Sequence, residues 1–592
     1  MKKNMRMSVL IMILSLMLAG CSAKTAVPQA SVNENANSDD SSNSKEDQAE
    51  TDQEEKSQEE KEKEEKEKKE QEERELAEQL RAREALEVQR KEQSGEFYVP
   101  LPALGEEPEI KTVKAKALYL TANVAGFNFD EADIEYYAAY IRSISGQSGL
   151  PADTGRMDDI NKLERALAIC KATEVNSLVI DVKNDDGLVA WNSDIEAVNR
   201  IKSNWSAPLK NYGPLLDYLK ANEIYCIARV VAFKDPYFAQ TEPGHAIQLK
   251  TGGVYTDKVG ISWVNPFDEY VWKYVVSVSQ EAALRGFDEI QFDYVRFPDG
   301  AKSYNPITDF PGRNDRNKDD GIEAFLQYAR KELEPYNVNL SADVFGFITR
   351  SWDDIPEDIG QTWRKIANQV DSVCPMIYPS HYGTGLYGFE VPDQHPYEIS
   401  RAALMEAIER NAAQKKPGVI RPWFQGFTAS WIKGHIEYDA KAVSDQMVAG
   451  LELGIEEYII WSASNNYDPM SFFYHDRVNQ SIRNAGEDIL ARTPEMALRR
   501  YLDAEKSRRY SHLYLLTPIS ERKEDYDQFA SEMEAALPGL GNYEILNIVE
   551  SGDGKYAATV NAEYGSGTEQ AVRKEVTYHI VLENDVYKVI KK

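Results

Sequence analysis

The chain of 592 residues is poor in the groups that carry redox, metal and phosphate chemistry. It has four cysteines, Cys21, Cys170, Cys226 and Cys374. Their spacing gives neither a zinc motif nor a disulfide framework, and the last three read as buried thiols in apolar segments. There are seven histidines and no HExxH motif, so a zinc hydrolase has little support. No GxSxG elbow and no phosphate-binding P-loop occurs. The stretch "DRNKDDG" (315–321) approaches a calcium loop, but its glycine falls one place late and no glutamate closes it. It reads as a loop and helix cap. No metal and no cofactor is expected. Basic residues are the scarcer sign, 68 against 98 acidic, for a net charge of −30. That balance argues against a nucleic-acid binder. Beyond residue 19 no apolar run approaches the length that spans a bilayer.

What is present begins with a leader. Lys2, Lys3 and Arg6 precede a short apolar run over 7–19, and Leu18-Ala19-Gly20-Cys21 follows. Residues 1–20 read as a secretory signal. The "LAGC" ending resembles the bacterial lipobox. The resemblance implies a diacylated Cys21 as mature N-terminus and an extracytoplasmic protein held to the membrane by lipid. Residues 21–44 are rich in Ser, Asn, Ala and Asp and read as a disordered tether. Residues 45–93 form a Glu/Lys/Gln/Arg run with Glu59–Lys63, Glu62–Lys66, Glu65–Lys69 and Glu70–Arg74 at i, i+4. Without an a/d apolar seam no coiled coil is expected. Two forms fit this stalk: a single helix reaching roughly 70 Å, or a solvated polyampholyte. Ser94-Gly95 and Pro100, Pro102 and Pro108 mark a linker over 94–115.

From residue 116 short β-rich runs alternate with amphipathic helical runs. Strands are expected at 116–122, 176–183, 225–233, 289–297, 339–347, 371–379, 420–427 and 456–463. Helices are expected near 159–174, 211–222, 268–285, 320–333, 355–369, 397–411, 438–453 and 470–484. Eight β-then-α units over 116–485 predict a TIM (β/α)8 barrel. The alternative, an open doubly wound sheet, is weakened by the lack of a glycine fingerprint after the first strand.

Polar residues collect where these strands end, the face on which barrel chemistry sits. The second strand ends in Asp181 and Lys183, followed by Asp185 and Asp186. The third carries Arg229, the fourth Asp293 and Arg296, and the fifth Asp343. The sixth ends in Tyr378 and His381. The seventh and eighth supply Trp423 and Trp461. Period-two alternation places Gln291 and Asp293 on one face and Ile290, Phe292 and Tyr294 on the other. Ser341, Asp343 and Phe345 share a face likewise. Strands about 4.8 Å apart bring two inward carboxylates to about 5–6 Å. That is near the roughly 5–5.5 Å of a retaining glycosidase pair. Like charges so close push the two pKa values apart, leaving one nucleophile and one proton donor. Arg229 would keep the nucleophile ionised, and Trp423, Trp461 and Tyr378 offer faces for sugar rings.

The segments "GFDEIQFDYVRFP" (286–298), "SADVFGF" (341–347), "WVNPFDEYVW" (263–272) and "LVIDVKNDDG" (178–187) resemble the bacterial putative glycosyl hydrolase family of TIM-barrel proteins. That family is distantly similar to the α-amylase and α-galactosidase groups. The resemblance implies Asp293 as nucleophile and Asp343 as acid/base. The amylase group has glutamate at the latter place, and Asp181, Asp185 and Asp186 stand as substitutes. The remaining residues, Asp181, Lys183, Arg229, Arg296, Tyr378, His381, Trp423 and Trp461, would bind substrate.

Residues 493–592 change texture again, to helices followed by strand-like runs at 542–549, 555–564, 571–583 and 586–591. This resembles the nuclear-transport-factor-like α+β fold. The expected function is a lipid-anchored retaining glycoside hydrolase acting on a polysaccharide. The alternatives are a non-catalytic glycan-binding or envelope-scaffolding lipoprotein and, behind it, a lyase or transferase.

Overall fold

The computed structural model describes residues 46–105, 108–146, 155–350, 355, 357–523, 525–535, 539–552, 554–565 and 571–592. The leader, Cys21 and the tether lie outside them. Two compact units are present.

The first is built on α1 (Glu46–Ser94), 49 residues without a break. Its described ion pairs are Lys63–Glu67 and Lys68–Glu72, at 3.9 and 4.0 Å and well exposed. Both run lysine first, opposite to the expected Glu-first pairs. Exposed pairs of this kind contribute only tenths of a kcal/mol, so their direction is weakly set. No helix among the described residues is long and apolar enough to cross a membrane.

The second unit holds a closed barrel of eight parallel strands: β1 (Lys116–Leu120), β2 (Ser177–Lys183), β3 (Tyr225–Val231), β4 (Glu289–Asp293), β5 (Asn339–Phe345), β6 (Ser372–Ile377), β7 (Trp423–Gln425) and β8 (Tyr458–Trp461). Each strand pairs with the next, and β8 returns to β1 through Lys116↔Tyr458. The seventh strand is interrupted. Val419–Ile420 already pairs with β6, but Pro422, which has no N–H, separates it from β7.

Helices α2 (Glu131–Ile144), α3 (Lys162–Ala172), α4 (Tyr212–Ala221), α5 (Glu269–Arg285), α6 (Lys318–Leu333), α7 (Trp363–Ala367), α8 (Pro396–Asn411) and α9 (Ala440–Glu452) lie between the strands. Local chemistry sets their ends. Asp268 accepts from the Tyr270 N–H at the start of α5, and Gly286 at φ 107° closes it. Asp320 accepts from the Asn317 N–H at the start of α6, so the "DRNKDDG" stretch is a helix cap.

Two expected helices do not form as expected. Near 470–484 there are two 3-10 turns, Pro469–Phe472 and His475–Arg477. Phe472 and Tyr474 are buried there, and the Tyr474 hydroxyl donates to Glu174. Tertiary anchoring overrides the helical pattern. Over 355–369 only α7 forms. Gly360 stands at φ 75°, where a Cβ would lie 2.9 Å from the Phe297 ring and 3.1 Å from the Lys318 backbone. Residues 357–359 before it form a turn at the barrel mouth.

The lumen is layered. At the N-terminal end Glu289 accepts from Tyr225 (2.9 Å), Ser341 (2.5 Å) and Arg421 (2.6 Å). Ile227, the register partner of Glu289, joins an apolar cluster with Cys374 and Ile459.

The C-terminal piece packs α10 (Pro494–Lys506), α11 (Tyr510–Leu516) and α12 (Tyr526–Ala535) on an antiparallel meander of β9 (Leu540–Gly552), β10 (Lys555–Tyr564), β11 (Val572–Glu583) and β12 (Val586–Lys591). Three register shifts curve β9. Asn584 and Asp585, both at positive φ, make the tight turn into β12. Glu409 of α8, buried, takes Arg492 at 2.8 Å and Arg500 at 2.6 Å, which ties this sheet's helices to the barrel.

Lys588 is fully buried and donates to the Leu515 carbonyl at 2.6 Å. Burial pushes its amine down to about 7. An unfolded lysine titrates near 10.4 (about), so between about pH 7 and pH 10 the unfolded chain binds the extra proton and stability rises with pH. Lys588→Met is therefore expected to exceed the wild type in stability most at about pH 7 and below. That advantage shrinks toward about pH 10, as read by urea unfolding across the range.

Candidate active site

At the C-terminal end of the barrel the strands open into a cavity of about 680 Å³. Asp293, the last residue of β4, lies at its base and is 5% exposed. Three N–H groups point at its two oxygens. Arg229 Nε and Nη2 donate to Oδ2 at 2.9 and 2.5 Å, and the Tyr294 N–H donates to Oδ1 at 2.5 Å. Arg229 Nη1 reaches the other way, to Asp181 Oδ1 at 2.5 Å, and Asp181 Oδ2 accepts from the Tyr119 hydroxyl at 2.5 Å. One guanidinium thus bridges two carboxylates. Burial opposes its charge, but Asp181 and Asp293 override that and raise its pKa well above the ordinary value.

Tyr294 stands at φ 48°, a strained conformation for a large side chain. The turn ends β4 at Asp293, four residues earlier than the sequence pattern suggests. It also brings Tyr294 to the cavity rather than to the helix layer. Arg296 follows it to the cavity wall. Its guanidinium lies 4.3 Å from the Phe345 ring centroid and 5.1 Å from those of Trp263 and Tyr294.

The opposite wall is aromatic. Trp423 and Trp461 come from β7 and β8, and Tyr378 follows β6. Phe427 meets Trp461 edge-on at 4.9 Å, and Trp431 stacks on Phe427 at 5.9 Å and 16°. Trp431 is 67% exposed. His381 stands at the rim, edge-on to Tyr378 at 5.3 Å. The loop after β5 closes a third side with Phe347, Ile348, Ile355 and Ile359. Gly346 is required where it leaves the strand, because a Cβ there would sit 2.3 Å from the Met376 carbonyl oxygen. Lys318, buried, holds the loop by donating to the Asp358 carbonyl at 3.1 Å. Gln361 ties it to β5 through the Asp343 carbonyl and the Phe345 N–H.

Residues 153–467, just over half of the chain, match the family model described as a putative glycosyl hydrolase domain. The chain belongs to that family. Solved structures similar to it include a hypothetical protein from Ruminiclostridium thermocellum, 32% identical, with 38% of this chain and 97% of that one covered at a TM-score of 0.30. The glycoside hydrolase domain of PgaB (BpsB) from Bordetella bronchiseptica is 12% identical, with 62% and 96% covered at 0.36. A chitinase from Chromobacterium violaceum is 13% identical, with 61% and 98% covered at 0.32. The barrel itself is given by the strand register described above. No curated protein matches the chain.

In this glycosyl hydrolase domain the cavity brings together Asp293, Arg229, Arg296, Tyr378, His381, Trp423 and Trp461. Three residues singled out with them do not line it. Asp181 is engaged beneath, on Arg229 and Tyr119. Lys183 is turned away altogether. A register shift between Asp181 and Lys183 pairs Lys183 with Val230, and its amine bonds Asp235 at 2.8 Å and the Val231 carbonyl at 2.7 Å. The bulge moves it from the lumen side to the helix side, which strict alternation could not foresee. Asp343 is 1% exposed and lies under the cavity floor, accepting from Trp423 Nε1 at 2.6 Å. Burial, then the Asp293 charge, pushes its carboxyl well above the usual range. Asp185 pairs with Lys234 at 2.8 Å, and neither it nor Asp186 reaches the cavity. Sequence reasoning missed Trp431, Phe427, Asp299 and Asp358. Trp431 carried a signal, a lone tryptophan in the polar stretch after the seventh strand. Asp358 was hidden inside an expected helix.

Lys183→Met would leave the buried Asp235 carboxylate without its cation. A loss of about 3 kcal/mol of stability is expected, measured by urea unfolding.

Proposed function

We propose that this protein hydrolyses glycosidic bonds in a polysaccharide, with retention of configuration, through attack of Asp293 on the anomeric carbon. The observation that carries this reading is the placement of Asp293. It is a carboxylate at the base of an aromatic-walled cavity, with a permanent guanidinium charge on one oxygen. Arg229 orients the nucleophile and stabilises the carboxylate when it departs from the glycosyl intermediate. The faces of Trp461, Phe427 and Trp431 suit the apolar faces of sugar rings. A second carboxyl must protonate the leaving oxygen. Among the described residues, Asp299 and Asp358 border the cavity besides Asp293. Asp299 is paired with Arg296 at 3.4 Å, whereas Asp358 forms no ion pair among the described residues. In this reading Asp358 is the donor.

The wild type is expected to release reducing ends from at least one member of a panel of cell-wall and capsular polysaccharides. Asp293→Asn should fall to background. Asp358→Asn should lose about 10²- to 10⁴-fold on substrates with poor leaving groups and much less on activated aryl glycosides. Proton NMR of the first-formed anomer should show retention, and inversion would remove the nucleophilic role. The exposed Trp431 also suits a glycan binder without turnover. That reading is favoured if Asp293→Asn keeps full glycan affinity while the wild type releases nothing.

The same proposal places the protein outside the cytoplasmic membrane, tethered through Cys21. It rests on residues 2–21 of the sequence. Metabolic labelling with a radioactive fatty acid should mark the wild type, and Cys21→Ala should abolish the label.

A further inference from the structure

Asp343 occupies an unusual place. Its strand pairs with β4 so that Ala342 lies opposite Phe292, which puts Asp343 at the level of Asp293 on the next strand. One of its oxygens is satisfied by the Trp423 indole. The other, Oδ2, is buried and has no donor. Arg229 spends three of its five N–H groups on Asp293 and Asp181, and neither of the other two reaches Oδ2. A second orphan lies in the same part of the lumen. Gln291 is fully buried, its amide nitrogen donates to the Cys374 sulfur at 3.2 Å, and its Oε1 has no donor. Cys374 is itself the register partner of Asp343. Two acceptors without a donor, in a closed lumen, are a costly arrangement. One proton on Asp343 Oδ2 relieves it, turning an acceptor into a donor where Gln291 offers an acceptor.

We propose that Asp343 is a positioning residue rather than the proton donor: it holds a proton at neutral pH and, through the Trp423 indole, fixes the cavity floor beside Asp293. The charged and titratable groups facing it agree with a neutral carboxyl. Asp293 and Glu289 repel a second negative charge, Cys374 and Tyr378 are neutral, and the Trp423 N–H and Arg229 oppose this without outweighing burial. Being under the floor, Asp343 has no line to a glycosidic oxygen. The protonation half of this proposal stands without any assumption about activity, and the positioning half rests on Asp293 as nucleophile.

The test uses the full chain labelled with carboxyl-¹³C aspartate, and Asp343→Asn identifies the signal. That signal is expected to stay at the protonated-acid position from about pH 5 to pH 8. A carboxylate position at pH 7 overturns the proposal, and would mean that the Gln291 amide is turned to donate to Oδ2. The second arm compares two substitutions. Asp343→Ala strips the Trp423 indole of its acceptor and is expected to lower the melting temperature by about 2 °C or more. Asp343→Asn presents an acceptor to Trp423 and a donor to Gln291, and should restore it to within about 1 °C. Reducing-end release should follow the same order, with Asp343→Ala impaired mainly in kcat and Asp343→Asn recovering it. If Asp343→Asn loses as much kcat as Asp343→Ala while keeping its melting temperature, Asp343 is the donor and the positioning role is overturned. If the wild type hydrolyses nothing, the functional reading fails by itself, and the carbon signal and melting temperatures still decide the proton.

Discussion

The arrangement of the barrel mouth depends on one cation. Arg229 lies in the lumen between Asp181 and Asp293 and spends three of its donors on them. A buried guanidinium without carboxylates would be untenable, and two buried carboxylates without it would not both stay charged. The triad is therefore self-consistent only when β2, β3 and β4 stand side by side in the observed register, Asp181↔Arg229↔Gln291. That dependence couples Asp293 to barrel closure. It also explains why Asp181 is consumed as a support instead of facing the cavity.

Charge in this lumen is stratified. The Glu289–Arg421 network seals the N-terminal end, apart from the residues that line the cavity, and serves the fold. The Arg229 triad occupies the opposite end, where the cavity opens. Between them lies Asp343, which feels both Asp293 and Glu289 and adds no charge if it keeps its proton. The same residue types do structural work at one end and face a cavity at the other. The difference lies in access, not in identity.

Much of the plan is legible in the chain. The eight strands, the polar strand ends and the C-terminal meander follow from period-two and helical patterning, because each element buries one face and the residues must alternate accordingly. Asp293 and Arg229 stood out as charged residues in otherwise apolar strands. The misreadings cluster where the backbone leaves its regular path. The bulge after Asp181 rotated Lys183 out of the lumen. The left-handed turn at Tyr294 ended β4 early and swung Tyr294 to the cavity. Gly360 broke an expected helix and released the loop that carries Ile355, Asp358 and Ile359.

What the sequence by itself determined is the class of the fold and the residue types available at one end of it, since burial periodicity and local caps are short-range properties written in neighbouring residues. What only the tertiary structure decided is which of those residues meet a common space. Asp343 and Asp293 look equivalent along their strands, yet one lines the cavity and the other is roofed by Trp423, which lies 80 positions away in the chain. Access to a cavity is set by contacts between distant segments, and no local pattern encodes it.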